Sequence, residues 1–135
     1  MYKKSAIKRT TISLVLLCLM TSTAAAQQPN VVPLMSKDLT GNPEKEVSMI
    51  LVEYPPGGSS PVHRHNAQAF VYVLEGSLAM QVKGGKEVTL TPGQTFYEGP
   101  DDVHVLDRNV STTGPAKMLV IVVKDKGEPI LVPVK

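Results

Sequence analysis

His63 and His65 stand one residue apart just ahead of the apolar, aromatic stretch Ala69 to Leu74, and His104 follows in another turn-rich segment; these three are all the histidines in the chain. In an extended strand alternate side chains share a face, so His63 and His65 can offer two imidazole nitrogens to one metal ion. Three imidazoles on one metal would make a facial half-cage, which keeps positions open for water, dioxygen or a chelating small molecule. An HxH pair alone says little, because most histidines are surface or hydrogen-bonded core residues. The glycines around this pair make it more specific.

Gly57 is followed by five residues, then His63 and His65 flanking Arg64, then three residues, Ala69, six residues and Gly76. This arrangement resembles the first motif of the cupin superfamily, in which the place held here by Ala69 carries a glutamate. The second cupin motif also has a counterpart. Gly93 is followed by five residues, the turn Gly99-Pro100-Asp101, two residues and His104. Here the family's PxG turn reads GPD, and its asparagine comes one place late, at Asn109, with Arg108 in its slot. The sixteen residues from Ser77 to Pro92 between the motifs are enough for a hairpin.

The resemblance implies a metal site on His63, His65 and His104, with iron, manganese or zinc as candidates. With Ala69 in the glutamate slot, the ligand set would contribute no negative charge, so the metal should be more Lewis-acidic and less tightly held. Two residues are candidates for a fourth ligand. Gln68 is next to the slot but differs in parity from residues 63, 65 and 69, so it would need a bulge to face the metal. Glu98 lies just before the turn leading to His104, where a solvated loop carboxylate is the preferred expectation and a reserve ligand or acid/base the alternative.

The first residues read as an export signal. Lys3, Lys4, Lys8 and Arg9 precede an apolar run from Ile12 to Met20, and Ala24 and Ala26 occupy small-residue cleavage positions. The run is too short to span a bilayer. Residues 1–26 are therefore expected to be removed, and the mature protein to be periplasmic or secreted. Losing four cations leaves 10 against 12 acids, a net charge of −2, so neither nucleic acid nor an anionic membrane is an expected partner. Cys18, the only cysteine, leaves with the signal, which excludes a disulfide, a thiolate nucleophile and a sulfur ligand.

Strand-like runs alternate with turn signals through the remaining chain: Val47 to Tyr54, Phe70 to Leu74, Ser77 to Val82, Glu87 to Thr91, Gln94 to Glu98, Val103 to Val110 and Lys117 to Lys124. Gly84-Gly85 predicts a hairpin turn between the third and fourth of these. Residues 27–46, with Pro29 and Pro33, read as an N-terminal arm, and residues 47–135 as one domain. The strand pattern and the resemblance together predict an all-β fold, a double-sheet jelly-roll β-barrel. The run Met118 to Val123 is apolar throughout, which suits a central strand or a subunit contact, and a homodimer is expected. Two functions follow from different classes. One is a metal-dependent, oxygenase-type enzyme acting on a small oxygen-rich molecule; the other is a noncatalytic module that binds a small ligand or a metal.

Overall fold

Period-two apolar alternation, punctuated by glycine turns, produces ten strands in the computed structural model, which describes residues 27 to 134. The expected export signal lies outside the described residues. In chain order the strands are β1 (Asn30–Leu39), β2 (Asn42–Tyr54), β3 (His63–Arg64), β4 (Gln68–Glu75), β5 (Leu78–Val82), β6 (Val88–Leu90), β7 (Thr95–Glu98), β8 (His104–Asn109), β9 (Ala116–Asp125) and β10 (Val132–Pro133). They form two antiparallel five-stranded sheets, ordered β1-β2-β9-β4-β7 and β10-β3-β8-β5-β6. No strand pair joins the two sheets among the described residues, so the jelly roll is a pair of facing sheets and not a continuously hydrogen-bonded barrel.

The inward side chains of both sheets make one core: Val52 from β2, Val71 and Val73 from β4, Leu78 and Met80 from β5, and Val122 from β9. Strand β9 is central and alternates strictly. Its even-numbered residues are buried, while Leu119, Ile121 and Val123 are half-buried on the outer face. The predicted hairpin is present as β5 and β6, with Leu78 opposite Leu90 and Gly84 at a φ of 82°.

The segment expected as an arm is built into the sheet. Half of it is β1, paired along β2, and Asn42 to Glu46 already belong to β2. Pro33 is tolerated there because β1 is an edge strand, whose outer amides have no ladder partner to lose.

The glycines that carry the motif spacing are turn residues. Gly57, Gly76 and Gly93 all have positive φ. At Gly76 the requirement is doubled, because a Cβ there would come within 2.5 Å of the Pro115 carbonyl oxygen. Asn109, although one place late, does structural work at the end of β8. Its amide donates to the carbonyls of Pro55 (3.1 Å) and Gly114 (2.8 Å), and its oxygen accepts from the Ser111 amide. Arg108, in the slot itself, points outward toward Glu87.

Candidate metal centre

The histidines converge because of strand register. His63 on β3 lies directly opposite His104 on β8, and His65 follows two residues later on the same face. Strand β10 closes over β3, with Pro133 opposite His63. The stretch leading into β10 also fixes a ring: His65 Nδ1 donates to the Ile130 carbonyl at 2.5 Å, and His63 Nδ1 to the Pro61 carbonyl at 2.8 Å. A carbonyl oxygen can only accept, so in both rings Nδ1 carries the proton and Nε2 keeps its lone pair for a cation.

Glu98 completes the group. It sits at the end of β7, opposite Ala69 of β4, and is only 2% exposed. The expectation of a solvated loop carboxylate is thereby overturned. Paired strands lie about 4.8 Å apart, so a longer side chain from β7 reaches the space that a glutamate at position 69 would fill. Ala69 is fully buried behind it. Gln68 is exposed, next to the buried Ala69 and of the opposite parity on β4. A metal held by this group would therefore meet one negative charge, where Ala69 alone suggested none.

His63, His65, His104 and Glu98 each offer a ligand atom, and these atoms all lie within 4.8 Å of one another. All four residues are buried. Glu98 Oε2 is 3.1 Å from His104 Nδ1 and 3.3 Å from His65 Nε2. These contacts are close but poorly directed, and Glu98 Oε2 and both His104 nitrogens have no hydrogen-bond partner. Buried polar atoms left in this way are costly, and a cation within the group would satisfy Glu98 Oε2 and one nitrogen of His104 together. Three imidazoles and one carboxylate are a fitting donor set for a divalent first-row metal.

In the metal-free group the carboxylate and the imidazoles shift one another's proton affinities. Burial works against the Glu98 charge, yet the imidazoles of His104 and His65 hold its carboxyl down to about 2. For His65, burial lowers the proton affinity, but the Glu98 carboxylate more than offsets it and the ring stands above its ordinary value. Burial dominates at His63 and lowers it, which keeps that imidazole neutral and able to ligate.

Beside the group lies a cavity of about 250 Å³. Its walls are mainly apolar, with Ile50, Val52, Met118, Val120 and Ile130 among them, and the polar residues Tyr54, Ser60 and Asp107 also face it. Such a space has the size for a compact molecule, and His63, His65, Glu98 and His104 line one part of it.

A cupin-domain family model matches residues 50–122. The chain belongs to the cupin family. No curated protein matches it. Among solved structures, oxalate oxidase in complex with the substrate analogue glycolate is 26% identical, with a TM-score of 0.62 over 82% of this chain and 57% of that one. The DMSP lyase DddQ from Ruegeria pomeroyi DSS-3 is 21% identical, with a TM-score of 0.63 over 79% of this chain and 52% of that one. An uncharacterized double-stranded β-helix protein from Klebsiella pneumoniae is 16% identical, with a TM-score of 0.64 over 80% and 85% of the two chains. This cupin thus spans little more than half the length of the oxidase and the lyase, and the two likenesses below 25% identity bear on the fold alone.

Proposed function

We propose that this cupin binds one divalent transition metal, iron, manganese or zinc, through His63, His65, His104 and Glu98, and acts on a small oxygen-rich molecule held in the adjoining cavity. The observation that carries the reading is the set of buried, partnerless atoms on Glu98 and His104 facing the two oriented imidazoles. A metal there supplies Lewis acidity and, if iron or manganese, redox chemistry. The chain's own contribution is to orient the ligands through Pro61 and Ile130, to neutralise half of the dication with Glu98, and to surround the bound molecule with apolar walls. The likeness to an oxalate oxidase supports a small oxygen-bearing substrate and an oxidative reaction, of which the oxygenase type is the form proposed. Export to the periplasm or medium, inferred from residues 1–26, forms part of the same proposal, as does a homodimer. Support for pairing comes from the outer face of the first sheet, where Phe70, Tyr72 and Tyr97 are exposed beside the half-buried Leu119 and Ile121.

The test is elemental analysis of protein from its native compartment, together with dioxygen uptake against a panel of diketones and phenols. One metal equivalent per chain and uptake with at least one substrate are expected. A protein that neither carries metal nor takes it up on reconstitution refutes the proposal; a stoichiometric metal without turnover favours the noncatalytic binding module.

A further inference from the structure

The polar part of the cavity beyond the metal ligands has an unmet demand of its own. Asp107 on β8 is buried, and its Oδ2 accepts from the Tyr54 hydroxyl in a short hydrogen bond. The Tyr54 oxygen lies 3.0 Å from Ser60 Oγ, and the Ser60 amide donates to the Asp107 carbonyl at 2.9 Å, so the three residues brace one another. Asp107 Oδ1, by contrast, is buried without any partner. Among the described residues no lysine or arginine lines the cavity to satisfy it. A buried acceptor held in place by its neighbours and left open is costly in the empty protein and available to a ligand.

We propose that Asp107, positioned by Tyr54 and Ser60, is a substrate-recognition residue whose Oδ1 accepts a hydrogen bond from a hydroxyl group on the bound molecule. The inference rests on the metal-centre reading for the other end of the ligand. It narrows the substrate class to compact molecules with a metal-binding oxygen group, an apolar body and a hydroxyl donor. A molecule lacking the donor leaves Oδ1 unsatisfied and binds less well, which is the stronger form of discrimination available to a polar site.

The probes are benzoate and its ortho, meta and para hydroxy derivatives, titrated calorimetrically into the cobalt(II)-loaded and the metal-free full chain. Cobalt uptake is measured first, so failure of the metal reading appears as a protein that does not load. The hydroxyl preference is read separately, as the affinity difference within the series. At least one hydroxybenzoate is expected to bind about tenfold tighter than benzoate, the size of one hydrogen bond to a buried acceptor. In Asp107→Val, which keeps a strand-compatible side chain but removes both oxygens, that advantage should vanish while cobalt loading persists. Equal binding of benzoate and all three isomers, no binding of any isomer, or an advantage that survives Asp107→Val overturns the proposal. Should the variant not fold, a crystal structure of the wild-type complex decides: a ligand hydroxyl within hydrogen-bond distance of Asp107 Oδ1 supports it, and any other placement overturns it.

Discussion

The interior of this cupin has two halves that are equally buried and differently satisfied. In one, Val71, Val73, Leu78, Met80 and Val122 from the two sheets meet side chain against side chain. In the other, Glu98, His104 and Asp107 carry atoms that are sealed from water and have no partner. The two halves share a strand: β9 contributes Val122 to the first and Val120 to the cavity wall of the second. The contrast shows where stability has been given up. A folded chain leaves few buried polar atoms unpaired, so their concentration in one half marks that half for a ligand, while the other holds the fold.

The most forceful way to break the contrast is to remove a ligand. His104→Ala should abolish stoichiometric metal binding, lowering affinity by more than about 100-fold, beyond what loss of an outer partner of a metal ligand typically costs. The metal-free protein should keep its fold, because the apolar half is untouched. Inductively coupled plasma analysis with circular dichroism checks both points; a variant that retains a full metal equivalent would remove His104 from the site.

A sharper manipulation exchanges two facing positions. Glu98→Ala should lose metal affinity by a comparable factor, and adding Ala69→Glu to that variant should restore much of it, since the two residues are paired across β4 and β7. Ala69→Glu alone should destabilise the metal-free protein by placing a second buried carboxylate beside the first. Metal titration of the three variants tests the exchange. If the double variant binds no better than Glu98→Ala, the two positions do not serve one slot.

These two residues also show what the sequence could and could not convey. His63 and His65 are legible because strand periodicity is local, and His104 because its glycine spacing places it on the partner strand. Glu98 is not legible in the same way: its role depends on which residue of β4 it faces, and register between strands is not written in either strand alone. A signal did exist. Phe96 and Glu98 share the inward parity of β7, and a carboxylate on an inward face calls for a partner. Strand β1 was hidden by Pro33 and its polar residues, which suit an edge strand as well as an arm. Strands β3 and β10 are two residues long and leave no periodic trace.

The apolar half should respond in the opposite sense to the metal half. Leu78 is fully buried, and Leu78→Ala should cost about 3 kcal/mol of unfolding free energy, within the range for cavity-forming core changes. At low temperature, where the variant remains folded, metal stoichiometry should be unchanged. Chemical denaturation and metal analysis on the same samples measure this. Loss of metal in a folded Leu78→Ala protein would mean that the two halves are not separable.

The smallest expected effect is the pH dependence of the metal-free protein, where protons stand in for the metal. Burial opposes ionisation of Glu98, but His104 and His65 bring its carboxyl to about 2, against an ordinary value of 4.5. Between those values the unfolded chain binds more protons than the folded one, so the carboxylate's stabilisation is complete above 4.5 and disappears as pH falls toward 2. For His65 burial lowers the proton affinity, but Glu98 raises it further, leaving the ring above its ordinary 6.5. Its contribution has the opposite sign: it is present below 6.5 and lost as pH rises through the higher folded value. The difference in unfolding free energy between the wild type and Glu98→Gln should therefore peak between pH 4.5 and 6.5, at about 2 kcal/mol, and fall away on both sides. Denaturant titrations of both proteins in chelator, from pH 2 to pH 9, trace the curve. A difference that stays flat across this range would show that Glu98 is held by something other than the imidazoles.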